Sequence, residues 1–129
     1  MTVSELRLVV TVDDYDEAVA FYRDVLGLSE AAEYISDDAG RVIILNAGQA
    51  TLELSDRRHA EHIDDVEVGR RVAGHIRVAF QVADSRAASQ AVVDAGATLI
   101  AEPTPTPWHS LNSRLDAPGG LQLTLFEQL

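Results

Sequence analysis

Apolar and polar residues alternate along much of the chain, which is the period of half-buried strands. The first such run extends from about Leu6 to Val12. It places Leu6, Leu8, Val10 and Val12 on one face and Arg7, Val9 and Thr11 on the other. Asp14 then has the character of a helix N-cap, with Glu17 at capping-box spacing. Val19, Tyr22, Val25 and Leu26 follow at helical spacing, and Gly27 ends the helix. Three strands are predicted next, over Glu30–Ser36, Val42–Ala47 and Ala50–Ser55. Asp37-Asp38-Ala39-Gly40 and Ala47-Gly48-Gln49 are the turns between them.

A polar stretch from Asp56 to Gly74 interrupts the pattern. It carries His59, His62, an Asp64-Asp65 pair and Arg70-Arg71, and reads as a connector with room for a short helix. The pattern then restarts. Ile76–Val82 is a strand, and Asp84 or Ser85 caps a helix through Ala95 that Gly96 stops. Thr98–Glu102 is a strand, and Pro103, Pro105 and Pro107 break the chain. Ser110–Leu115 and Leu121–Phe126 are strands joined by a Pro118-Gly119-Gly120 turn.

The two halves repeat each other. Arg7 to Asp14 lies over Arg77 to Asp84, and Leu52-Glu53-Leu54-Ser55 lies over Leu123-Thr124-Leu125-Phe126. Each half is one strand, one helix and three strands, a unit that leaves one sheet face uncovered. The expected fold is therefore α+β: two βαβββ modules in pseudo-two-fold repeat, forming an open, curved, mixed sheet around a concave cavity. The expected boundaries are residues 1–56 for module one, 57–74 for the connector and 75–129 for module two.

Strand parity also predicts what faces the cavity. Leu52 and Leu54, then Ile76, Val78, Phe80 and Val82, then Leu121, Leu123 and Leu125 pack on the helices. Glu53, then His75, Arg77, Ala79 and Gln81, then Gln122, Thr124 and Phe126 face away. With Arg7 from the first strand, the concave face is predicted to carry Arg7, Glu53, Arg77 and Thr124.

Composition narrows the chemistry. The chain has 129 residues, enough for one domain with a real core. It has no cysteine, so disulfides, thiolate metal sites and a Cys nucleophile are excluded. The formal charge is −11 and every basic residue is Arg. No basic patch is visible, which argues against nucleic acid as a partner. No apolar run reaches signal-peptide or membrane-span length, and a cytoplasmic location is expected.

Asp14 to Tyr22 followed by Val25-Leu26-Gly27-Leu28 resembles the first helix of the glyoxalase / bleomycin-resistance / extradiol-dioxygenase (vicinal oxygen chelate) superfamily. Ala50 to Leu54 resembles its fourth strand, and Ala95-Gly96-Ala97 the end of its second helix. Pro107-Trp108, Arg114, Asp116, Pro118, Gly120 and Leu121 to Phe126 resemble its last two strands and their turn. The resemblance covers nearly the whole chain and is specific for fold. For function it is broad, since the superfamily holds metal-dependent isomerases, epimerases, dioxygenases and thiol transferases. It also holds metal-free proteins that sequester antibiotics.

The resemblance implies that Arg7, Glu53, Arg77 and Thr124 occupy the family's metal-ligand positions, which hold His, Glu or Gln in the metalloenzymes. Arg is always cationic and has no acceptor, and Thr is a weak ligand, so only Glu53 suits a metal. The expectation is accordingly no cofactor and no metal. In its place stands a charge cluster in which Glu53 accepts from one or both Arg, or an Arg that anchors a ligand's carboxylate, phenolate or carbonyl. Trp108, on the expected lid, and Phe126, on the cavity face, are candidate aromatic walls, with Tyr34 a third. His75 is a strand-end residue at the rim, or a metal ligand with Glu53. His59 and His62 share a helix face and read as a solvated surface. The expected function is metal-independent binding and sequestration of a small molecule of antibiotic or natural-product type, with no catalytic residue. The alternatives are a metal-dependent enzyme using Glu53 and His75, a metal-free enzyme with Glu53 as base, and an interaction module with a vestigial cavity. A homodimer is expected, since pairing protects open sheet edges.

Overall fold

Two sheet halves meet at one antiparallel strand pair. The computed structural model describes residues 1–25, 28–117 and 120–129. The predicted helix end at Leu26-Gly27 and the Pro118-Gly119 part of the last turn lie outside the described residues. The strands are β1 (Val3–Val12), β2 (Glu30–Ile35), β3 (Arg41–Ala47), β4 (Ala50–Asp56), β5 (Ile76–Val82), β6 (Thr98–Pro105), β7 (Ser110–Asp116) and β8 (Gln122–Gln128). The helices are α1 (Tyr15–Val19), which widens into a π turn over Ala20–Val25, α2 (Arg57–Glu67) and α3 (Ser85–Asp94).

One eight-stranded sheet runs in the order β2-β3-β4-β1-β5-β8-β7-β6. β1 pairs antiparallel with β5 at the centre, while β1–β4 and β5–β8 are parallel. The order is the same outward from the central pair on both sides, which is the pseudo-two-fold repeat. The sheet is open, with β2 and β6 as its edges. The fold class is as expected from the alternation.

The two crossover helices begin where their caps predict. The Asp14 carboxylate accepts from the Glu17 N–H, and the Asp84 carboxylate from the Ala87 N–H. Gly96, at a φ of 113°, ends α3. Each helix buries one face on its own half of the sheet. Tyr15 and Val19 pack on Ile43, Leu45 and Leu54; Ala88 packs with Val82, Ala97, Leu115 and Leu125. The strand faces alternate as predicted, so the opposite face of the sheet is left for the cavity; Ile76 and Leu121, expected to pack on the helices, are instead exposed at strand ends.

One expectation is corrected. Pro103 and Pro105 do not break the chain after Glu102: β6 runs on through both. It is an edge strand with register shifts against β7, where a missing N–H is tolerated. The connector holds the helix that it had room for: α2 occupies residues Arg57–Glu67 with Asp56 as N-cap.

Gly40 fixes how α2 leaves the sheet. A Cβ built there would lie 2.3 Å from the His59 nitrogen and 2.6 Å from its Cα, both backbone atoms that cannot swing aside. The turn between β2 and β3 therefore touches the first turn of α2 directly. Gly40→Ala is expected to cost about 1–3 kcal/mol or more by forcing this contact apart. Urea denaturation checks it, and an unchanged midpoint would show that the approach is looser than described.

Candidate functional site

The floor of the concave face comes from the four central strands. In the register, Val9 stands opposite Glu53 on one side and Arg77 on the other. Glu53 and Arg77 are therefore two strand spacings apart, about 10 Å at the backbone. Arg7 lies one pair along, opposite Thr51 and Ala79, and Ala79 faces Thr124. The structure thus brings Arg7, Glu53, Arg77, Thr124 and Phe126 to one cavity floor.

The charges do not form the expected shared cluster. Arg7 turns to Glu5, and its Nη1 stays 3.8 Å from Glu53 Oε1. Its guanidinium covers the Phe126 ring, 4.9 Å from the centroid, so that this face is already stacked. Arg77 donates from Nη1 to Thr124 Oγ1 at 2.6 Å. No carboxylate among the described residues pairs with Arg77, although the residue is only 9% exposed. Burial, and then the positive charge of Arg114, pull the Arg77 pKa below its ordinary value; Glu67, Glu53 and Asp64 offset this in part. Glu53 receives no hydrogen bond from the described residues. Burial pushes its pKa up, against the pull of Arg77 and Arg7.

A second group of charges holds α2 across the same face. Arg114, on β7, is 0% exposed. Its Nη1 donates to Asp64 Oδ1 at 2.8 Å and to Gln122 Oε1 at 2.9 Å, and its Nη2 to Glu67 Oε1 at 2.8 Å. Asn112 Nδ2 donates to the other Glu67 oxygen at 2.8 Å. The second oxygen of Asp64 accepts from the Val72 and Ala73 N–H groups, and Gln122 donates to Val72 O. The chain from α2 back to β5 is tied down by these bonds. Sequence reasoning missed this wall, yet the alternation of β7 carried the signal: Leu111, Ser113 and Leu115 face α3, which leaves Asn112 and Arg114 for the concave side.

His59 corrects the solvated-surface expectation. It is buried, its Nδ1 has no hydrogen-bond partner among the described residues, and its ring lies 6.2 Å from that of His62. Burial, and then His62, lower its pKa to about 4, so it is neutral. His59, His62, Ile63 and Glu67 make α2 one wall of the cavity.

The cavity has a volume of about 680 Å³. Both sheet edges reach it: Tyr34 and Ile35 from β2, and Trp108 and His109 from the β6–β7 turn. Trp108 is 43% and Tyr34 59% exposed, which places both at the rim. His75 is outside the lining. It is exposed just before β5, with its carbonyl accepting from Thr11 N. The geometry does not bring His75 together with Glu53.

Donor chemistry decides whether a metal suits this floor. The four positions offer one carboxylate, one hydroxyl that already accepts from Arg77, and two guanidinium groups with no lone pair to give. No three His, Asp or Glu side chains among the described residues converge as a metal site would require. The residues do not fit a divalent cation.

The fold and site define a class: a doubled βαβββ unit with an open sheet whose trough holds a small-molecule-sized cavity. The chain matches the Glyoxalase/Bleomycin resistance protein/Dioxygenase superfamily over residues 6–125, and it belongs to that family. Solved structures agree on the fold. A hypothetical protein from Bacillus halodurans has a TM-score of 0.72 at 18% identity, with 99% of this chain and 94% of that chain covered. Methylmalonyl-CoA epimerase from Mycobacterium tuberculosis has a TM-score of 0.69 at 22% identity, covering 98% and 89%. The Streptomyces coelicolor epimerase in complex with 2-nitronate-propionyl-CoA has 0.69 at 21%, covering 98% and 99%. No curated protein sequence matches the chain.

Two predictions follow from the buried polar groups. Arg114→Met leaves Asp64 and Glu67 buried without their cation and is expected to cost about 3–5 kcal/mol in chemical denaturation; a loss under 1 kcal/mol would mean that the carboxylates find water instead. His59 has a folded pKa below its unfolded one, so the unfolded state takes up its proton first as pH falls. Its contribution is complete above about pH 6.5 and is lost toward pH 4. Wild type should lose up to about 2 kcal/mol more than His59→Gln between pH 7 and pH 5. Parallel pH profiles of the two proteins would contradict this.

Proposed function

We propose that this protein binds a small organic molecule without a metal ion, and that it acts by burying the molecule away from its target. The observation that carries this reading is the cavity of about 680 Å³, a volume in the range of small-molecule sites. At the positions where the family's metal ligands fall, its floor presents Arg7, Glu53, Arg77 and Thr124. Two guanidinium groups there favour an acceptor atom of a ligand over a cation. Trp108 and Tyr34 supply aromatic rim surface. Phe126 contributes beneath Arg7 rather than as an open stacking face. The ligand would be of antibiotic or natural-product type. Pairing of two chains belongs to the same proposal, supported by the unpaired edges of β2 and β6.

One observation favours a second reading. Glu53 has no hydrogen-bond partner among the described residues and a raised pKa, which suits a general base acting beside Arg77 without metal. Turnover that is abolished in Glu53→Gln, with binding retained, would select this reading over sequestration.

The first test is metal content together with thermal-shift titration of Zn²⁺, Mn²⁺, Ni²⁺ and Fe²⁺. The expected result is substoichiometric metal and no stabilisation. A cation bound at a hundred times its dissociation constant would add about 2.7 kcal/mol. Such a shift, lost in Glu53→Ala, would overturn the metal-free reading.

A further inference from the structure

The cavity has a polar floor and an apolar rim, and the charge on that floor is unevenly matched. The acidic groups nearest to it are mostly engaged. Glu5 holds Arg7, while Asp64 and Glu67 hold Arg114. Glu67 also accepts from Asn112. Among the described residues Arg77 has no carboxylate partner and Glu53 has only the long 3.8 Å contact to Arg7, and Val9 stands between the two in the register. Arg77 is nine-tenths buried, lines the cavity, and gives one donor, Nη1, to Thr124. A guanidinium has five N–H donors in a planar fork that matches two oxygens of an oxyanion. The fork is held by burial and by Thr124, so little freedom is lost when an anion docks.

The opposite end is apolar. Tyr34, Ile35, Trp108 and Leu129 all line the mouth, and all are exposed. Four such side chains around one opening form an exposed apolar ring of the kind that marks a binding groove.

We infer that the occupant is an amphiphilic organic anion: its single oxyanion head (a carboxylate, sulfonate or phosphate) sits on Arg77, and its bulky, flat apolar body fills the trough up to Trp108 and Tyr34. This rests on the ligand-binding reading and goes further by fixing the charge and orientation of the ligand. Selection for an anion is a local property of the floor. The chain as a whole carries −11 and repels anions at long range. A net preference for an anion therefore reports the cavity and not the surface.

Two fluorescent probes with the same aryl body test it: 8-anilinonaphthalene-1-sulfonate, which carries one sulfonate, and the neutral N-phenyl-1-naphthylamine. Trp108 is the only tryptophan, so quenching of its emission reports a bound probe within energy-transfer range of the mouth. The sulfonate should bind about tenfold or more tighter than the neutral probe, as a charge-assisted hydrogen bond implies. Arg77→Met should erase that preference while leaving the neutral probe's dissociation constant within about a factor of three. Arg77→Lys should keep part of it, and serves if the Met variant does not fold by circular dichroism. Both probes quenching Trp108 with equal affinity, or a preference that survives Arg77→Met, would overturn the anion assignment but leave the cavity a small-molecule site. Neither probe quenching Trp108 would remove both.

Discussion

The seating of Arg114 between Asp64 and Glu67 is the interaction on which the site depends. Three desolvated charges are costly unless each is matched, and here the matching is close to complete. Arg114 donates to both carboxylates and to Gln122, Glu67 also accepts from Asn112, and Asp64 also accepts two backbone N–H groups. The face that α2 buries is polar, formed by His59, Asp64 and Glu67. Apolar burial alone would not hold such a helix in the trough. The ionic clamp does, and it turns an open concave sheet into a cavity with a floor, one helical wall and two rims.

The same partition of charge gives the floor its character. Each Arg of the trough takes a different partner: Arg7 takes Glu5, Arg114 takes the α2 carboxylates, and Arg77 takes only a hydroxyl. Glu53 is left beside Val9 with its proton affinity raised by burial. A divalent cation would meet two guanidinium groups and one carboxylate at this place. An oxyanion would meet an unsatisfied fork. The sheet register sets Glu53 and Arg77 on either side of Val9, so they feel each other's charge without pairing directly.

Much of this was legible in the chain, and each failure has an identifiable physical cause. The alternation of β1 and β5, and the caps at Asp14 and Asp84, follow from periodicity and local hydrogen bonding, so the fold and the floor residues could be read directly. The α2 wall could not, because hydrophobic patterning is blind to a helix that buries carboxylates and an imidazole. His59 looked solvated for the same reason. β6 ran past its prolines because an edge strand has no N–H partner to lose there. Which Arg pairs with which acid was also beyond reach: parity assigns a face, but rotamers and neighbours such as Glu5 decide the contacts.

The central claim is that Arg77 makes the cavity floor a place for an anion rather than for a metal ion. Anomalous diffraction from crystals soaked separately in bromide and in a cobalt(II) salt tests it most directly. The account predicts a bromide peak against the Arg77 guanidinium and no cobalt on the floor. A cobalt peak held by Glu53, or a floor without bromide, would contradict it.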